Sequence, residues 1–197
     1  TYGSTVSGAY NKLAASPRGL HWTHFPHSDK DGWARAQKVA PWWAPTTVKK
    51  AIAGEKNTSG KFPYQGNVQP YPIFVATSKL SDDVAYNLTK AIFTKYDDYK
   101  DAHPAMNGYL LERQNLTWVF PYHPGSIKYF KEAGAWSAAQ EAHNKKMLER
   151  QAALQKAWDA YMAANKDKDD KAFEKGWQTA RSDALTKAGM GVPFKTW

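Results

Sequence analysis

Residues 137–175 contain neither proline nor glycine and are rich in Ala, Gln, Lys, Glu and Met. Alanine and straight-chain residues lose little freedom in a helix, so the composition predicts one long helix from Ser137 to about Asn165. Met147, Leu154, Trp158 and Tyr161 fall on one stripe of that helix, with Leu148 and Met162 beside it. Such a stripe needs a surface to cover it, either the body of the same protein or another chain, and these four residues are the candidate partner interface on the helix. Residues 166–171 form a charged break. A second helix is expected over 172–187, ending at Gly189 and Gly191, followed by an aromatic tip at 193–197.

The preceding 136 residues are built differently. Short apolar or helical runs alternate with Pro- and Gly-containing turns, and no repeat of fixed period occurs. Helices are predicted over 7–15, stopped by Pro17-Arg18-Gly19, and from about Asp29 to Ala40, opened by Ser28-Asp29-Lys30-Asp31 and ended by Pro41. The clearest helix starts at Ser81, with Asp82 and Asp83 in its first turn and Val84, Leu88 and Ile92 spaced as a buried face. Another runs from the Tyr122-His123-Pro124-Gly125-Ser126 turn to Glu132, before Gly134. Strands are expected at 20–24, 71–77 and 118–120, and residues 54–70, rich in Gly, Asn, Ser and Pro, read as a loop. Alternation of this kind predicts an α/β layer architecture.

Several classes of chemistry are excluded by residue type. The sequence has no cysteine, which removes disulfide scaffolds, cysteine-ligated metals and thiol nucleophiles. No dinucleotide fingerprint, phosphate loop, nucleophile elbow or zincin helix is present, so a binding role without catalysis, cofactor or metal is expected. His21, His24 and His27 are spaced by three, which on a strand places neighbours on opposite faces, so a metal site is not expected there. No apolar run reaches the roughly 18 residues that span a bilayer. Thr1 follows no basic-then-apolar leader, so a processed chain or a piece of a longer one is expected.

Charge is uneven. Lys and Arg number 27 against 18 Asp and Glu, and residues 1–80 carry ten of the basic but only three of the acidic groups. Such a field favours anionic partners. Lys49, Lys50, Lys56 and Lys61 are scattered among Gly, Asn and Thr, with no arginine cluster between aromatics, so nucleic acid is not the expected partner. Nine Trp and eleven Tyr are a large aromatic content. Trp42 and Trp43, between Pro41 and Pro45, are expected in a packed turn, and they are also candidates for a partner-facing surface. The Pro124-Gly125-Ser126 helix start offers free N–H groups and a close backbone approach suited to a carboxylate, although such turns also serve as plain caps.

Four segments occur in order: Phe62-Pro63-Tyr64-Gln65-Gly66-Asn67; Leu80-Ser81-Asp82-Asp83-Val84-Ala85-Tyr86 with its helical continuation to Phe93; Ala102-His103-Pro104; and Pro121-Tyr122-His123-Pro124-Gly125-Ser126 continuing through Tyr129-Phe130-Lys131-Glu132. Together they resemble the C-terminal part of TAXI-type solute-binding proteins of TRAP transporters, over roughly residues 1–136. The resemblance implies a periplasmic-binding-protein-like (type II) pair of α/β lobes, incomplete at the N-terminus. It also implies a periplasmic protein that delivers an organic anion, such as glutamate or another dicarboxylate, to membrane permease subunits. Ligand contacts would fall on Tyr64, Gln65, Gly66, His123, Gly125 and Ser126, and the missing part of the cleft could come from an N-terminal fragment in a separate chain.

Residues 137–197 extend beyond the resemblance, so two regions are expected, 1–136 and a helical extension over 137–197. A second reading follows from that extension. A truncated binding-protein fold could serve as an accessory subunit of a periplasmic or larger membrane-associated complex, with the aromatic-rich surface and the tail as its interface.

Overall fold

The computed structural model describes residues 7–48, 63–69, 73–166 and 169–192. Lys49, Lys50, Lys56, Lys61, Phe62, most of the expected 54–70 loop, the first two residues of the expected 71–77 strand and the aromatic tip lie outside the described residues.

Local signals place the first helices as expected. Helix α1 spans Gly8–Ala14, and Gly19 takes the left-handed φ of 68° that the turn after it requires. Helix α2 spans Lys30–Val39; the Asp29 carboxylate caps it by accepting from the Gly32 N–H at 2.8 Å. Trp42 and Trp43 form the expected packed turn, with the Trp43 N–H donating to the Ala40 carbonyl at 3.0 Å.

The strands differ from expectation. Strand β1, Ala44–Val48, and strand β2, Tyr64–Val68, pair antiparallel with Thr46 opposite Gly66. β2 lies inside the segment that reads as a loop, because its polar side chains hide a pairing that depends on a partner strand. Residues 20–24 are not a strand: the extended chain meets β2 only as it passes, through the Phe25 N–H donating to the Gln65 carbonyl at 2.8 Å. Residues 118–120 are irregular too, and residues 73–77, expected as a buried strand, are irregular and exposed. Among the described residues the architecture is therefore helix-rich with one two-stranded sheet, so the α/β layering holds only loosely.

The best-packed part of the chain is a helix pair. Helix α3, Asp82–Thr94, is capped by Ser81 as expected, with the Val84 N–H donating to Ser81 Oγ at 3.4 Å. Its inward face is not the Val84–Leu88–Ile92 line. Ala85 is buried while Val84 and Leu88 are 51% and 48% exposed, because the small Ala85 lets the crossing helix come close. A short helix α4, Tyr96–Tyr99, and two 3₁₀ turns, Pro104–Tyr109 and Leu111–Arg113, lead to helix α5, Pro124–Glu132. Leu116, Tyr129 and Phe130 form the core between them, with Tyr86, Phe93, Leu111, Tyr122 and Trp136 packed against it. The Phe93 and Tyr129 rings stack at 5.8 Å and 2°, and Tyr122 meets Phe130 edge-on at 5.6 Å and 87°.

Helix α6, Ala138–Ala164, is the long helix the composition predicts, opened by a reciprocal capping box of Ser137 and Gln140. Its first turns are anchored to the α3–α5 body. The buried Asn144 accepts from the Tyr122 N–H at 2.7 Å, the His143 Nε2–H donates to the Trp118 carbonyl at 2.6 Å, and Lys131 and Trp136 both reach Glu141. Helix α7, Asp170–Lys187, starts two residues before the expected position because Asp169 caps it.

The second half of α6 is covered by α7, so Trp158 and Tyr161 of the stripe pack within the chain. Trp158 meets Trp177 edge-on at 4.8 Å, Tyr161 is buried against Phe173, and Leu185 is 0% exposed. The Tyr161 hydroxyl donates to the Phe173 carbonyl at 2.7 Å across Gly176, where a Cβ would stand 2.2 Å from the hydroxyl oxygen. Met147 and Leu154 are half-buried on the same side of α6.

Candidate functional site

Tyr64, Gln65 and Gly66 stand in β2, under a cluster that the sequence did not single out. The Gln65 side-chain oxygen accepts from the His27 N–H at 2.7 Å, and the His27 Nε2–H points at the carbonyls of Thr46 (3.1 Å) and Gly66 (3.4 Å), one from each strand. His27 thus clips residues 25–27 across the hairpin. Trp33 packs edge-on against His27 at 6.2 Å and donates its indole N–H to the Pro26 carbonyl at 3.1 Å. Phe25 lies between Trp33 and Trp43. Burial pushes the Tyr64 phenol above its ordinary pKa, and a Cβ on Gly66 would lie 3.1 Å from the Tyr64 ring. Trp42, named with Trp43 as partner-facing, donates its indole N–H to Gln69 at 3.2 Å, so both rings are held half-buried inside this cluster.

His123, Gly125 and Ser126 stand 57 or more positions further on, at the joint between α3 and α5. The Gly125 N–H donates to His123 Nδ1 at 3.2 Å, and the His123 Nε2–H donates to the Leu80 carbonyl at 3.1 Å. Asp82 Oδ1 lies 3.7 Å from Nδ1. Gly125 is buried: a Cβ there would stand 2.1 Å from the Asp82 carbonyl oxygen and 2.8 Å from the Tyr86 nitrogen. The Thr89 hydroxyl donates to the Ala85 carbonyl at 2.7 Å, which leaves its oxygen to accept from the Ser126 hydroxyl at 2.8 Å.

The His123 ring, the Gly125 N–H and the Ser126 hydroxyl, expected at a ligand, therefore each have a partner within the helix joint. The Gly125 N–H is capped by His123 and the Ile127 N–H donates to the His123 carbonyl at 3.0 Å, so the chain itself occupies most of the amide cradle that a helix start offers. Around the outside of the joint, Tyr86, Lys90 and Glu132 form a closed triangle: the Tyr86 hydroxyl donates to Glu132, and Lys90 donates to Tyr86 at 3.0 Å and to Glu132 at 3.1 Å. The hydrogen bonds from Tyr86 and then from Lys90 hold the Glu132 carboxyl below its ordinary value, while those to Tyr86 and Glu132 raise Lys90. Lys128 covers the Tyr86 ring at 4.7 Å. Lys90 and Glu132 lie inside the quoted motifs, but their pairing depends on the helix crossing and has no local signal.

His21 and His24 are exposed and do not join His27, and among the described residues no group of three or more His, Asp or Glu could hold a metal ion. No helix among the described residues is long and apolar enough to cross a membrane.

The matched family defines the class of protein as periplasmic-binding-protein-like, a class of substrate-binding components of ABC- and TRAP-like transporters that work with membrane transporter subunits. The chain belongs to the NMT1-like family, whose profile matches residues 11–134. That span begins within α1, holds α2 to α5, the sheet and all four motif segments, and ends before α6. No curated protein and no solved structure matches the chain.

Proposed function

We propose that this chain is the solute-binding component of a TRAP-type transporter of the TAXI kind, working outside the cytoplasm and recognising an organic anion of the glutamate or dicarboxylate class. The observation that carries the reading is the family match over residues 11–134, within which the four TAXI-like segments stand in order. The basic excess of residues 1–80 supports an anionic solute. Binding without catalysis, cofactor or metal is the role proposed, with membrane permease subunits as the receiving partners. Of the expected ligand residues, Tyr64 and Gln65 are the better candidates, because they lie half-buried on the hairpin, whereas Gly125 is enclosed by α3.

The test is thermal unfolding against glutamate, 2-oxoglutarate and succinate, with glucose and arginine as controls. A bound solute at one hundred times its Kd stabilises the folded state by about 2.7 kcal/mol, a shift that Tyr64→Phe should reduce by more than it lowers the ligand-free midpoint. Equal indifference to all five solutes would reject the solute-binding role.

A second reading has its own supporting observation: His123, Gly125 and Ser126 are engaged in the helix joint, and α6 and α7 lie beyond the matched span. A binding-protein fold retained as an accessory subunit of a membrane-associated complex suits that arrangement. Recovery of the protein from its native source in a large assembly, free of small carboxylate, would favour it.

A further inference from the structure

Two glutamines of the hairpin have their side-chain oxygens taken by the chain itself. The Gln65 oxygen accepts from the His27 N–H at 2.7 Å, and the Gln69 oxygen accepts from the Trp42 indole N–H at 3.2 Å. A backbone N–H and an indole N–H can only donate, so in both amides the oxygen faces inward and the NH2 group is the end left over. Neither NH2 group has an acceptor among the described residues, and the Asn67 side chain, between them, makes no hydrogen bond there either. Gln65 and Asn67 project from the face of β2 opposite Tyr64, Gly66 and Val68, and Gln69 follows at the next alternate position. All three amides are half-buried.

A half-buried N–H without an acceptor has given up part of its water and gains nothing in return until a ligand supplies an oxygen. A carboxylate is acceptor-only and satisfies such groups. An ammonium or guanidinium brings only donors and leaves them facing their own kind. The charge of the surrounding sequence acts in the same direction. Between Asp31 and Asp82 the chain carries seven Lys and Arg and a single acidic residue, Glu55, so the section that contains the hairpin attracts anions.

We propose that Gln65 and Gln69 are specificity-determining residues of the solute site, two amides locked with their donors outward, so that the hairpin takes a carboxylate and refuses a cation. The inference rests on the solute-binding reading of the hairpin and adds to it Gln69, which stands outside the four motif segments. His27 and Trp42 are positioning residues: the N–H of each fixes which end of an amide is presented. An amide free to turn offers its carbonyl to a cation as readily as its NH2 group to an anion, whereas a locked one is already ordered for the anion before it binds.

Isothermal titration of the 197-residue chain with 2-oxoglutarate, glutamate and succinate, and with putrescine as a dication, tests the inference. Gln65→Glu and Gln69→Glu keep the inward oxygen and exchange only the outward donors for an acceptor. Each should raise the dicarboxylate Kd at least about tenfold while the ligand-free thermal midpoint stays within about 2 °C of wild type. Val68→Glu adds the same charge on the other face of β2, where residue 68 is 44% exposed, and should change the Kd less than about threefold. Undiminished dicarboxylate binding in both glutamate variants of the amides, an equal loss in Val68→Glu, or wild-type binding of putrescine would each overturn the proposal and leave the solute-binding reading standing. A wild-type chain that binds none of the four solutes would remove that reading itself, and this inference with it.

Discussion

At Gly125 a single hydrogen atom decides whether two helices can cross. The side-chain position faces the Asp82 carbonyl at a distance no real Cβ tolerates, 2.1 Å, so Gly125→Ala must push α5 away from α3 and disturb the Phe93–Tyr129 stack behind it. A cost of about 2–4 kcal/mol in urea unfolding is expected. Gly108→Ala, at a position where an added Cβ meets nothing within 4 Å, should stay within about 0.5 kcal/mol. Equal effects at both glycines would show that the crossing is not as tight as described. The sequence motif around Gly125 was visible, yet its two readings, an anion cradle and a plain cap, differ only in what lies opposite the glycine, and that is a residue 43 positions earlier in the chain. His27 carries the converse lesson. Nothing in its H-x2-H-x2-H setting indicates that its ring would bridge the carbonyls of Thr46 and Gly66.

Between elements, the α3–α5 joint carries a pH dependence with a definite sign. Glu132 is held below its ordinary value of 4.5 in the folded state, so the folded form binds fewer protons there than the unfolded chain around that pH. Its contribution is complete above the unfolded carboxyl range and is lost as pH falls through the lower folded value. The raised Lys90 acts in the opposite limb: its contribution is complete below about 10.5 and is lost as pH rises through the folded value. Glu132→Gln should therefore flatten the acid side of a stability-versus-pH curve below about pH 4.5 and leave the slope between pH 6 and 8 unchanged; an unaltered acid limb would show that the triangle contributes nothing. Both groups are solvent-exposed, so about 150 mM salt should reduce the effect.

For the molecule as a whole, the boundary at residue 136 divides the sequence more sharply than it divides the structure. Asn144 is buried and accepts the Tyr122 N–H, and Glu141 ties Lys131 and Trp136 to the start of α6. A chain ending at residue 136 leaves the Tyr122 N–H without that partner and uncovers the side of the core nearest Trp136, so a loss of about 1–3 kcal/mol is expected from the hydrogen bond alone. A chain ending at residue 151 keeps these anchors and loses only the α6–α7 pairing around Trp158 and Trp177. Thermal unfolding of the two truncated forms should place the longer one near the full chain and the shorter one several degrees below it. Matching midpoints would make the first turns of α6 dispensable to the body.

Helix starts were legible because a cap is a local event. Ser81 with Asp82 and Asp83, His123 before Pro124, and Ser137 with Gln140 each satisfy N–H groups two or three residues away, and the Pro- and Gly-free composition of 137–165 needs no partner to favour a helix. Strands, buried faces and site geometry were decided only by tertiary contact. β2 pairs because β1 lies beside it, although its Tyr-Gln-Gly-Asn-Val sequence resembles a loop; residues 73–77 remain unpaired although their sequence is the better strand. Val84 and Leu88 repeat at helical spacing as well as Ala85 and Thr89 do, and the close approach at Gly125 selects the smaller pair to face α5. A cap binds its own backbone, whereas a strand or a packing face is completed by atoms far away in the sequence, and only the fold brings those atoms together.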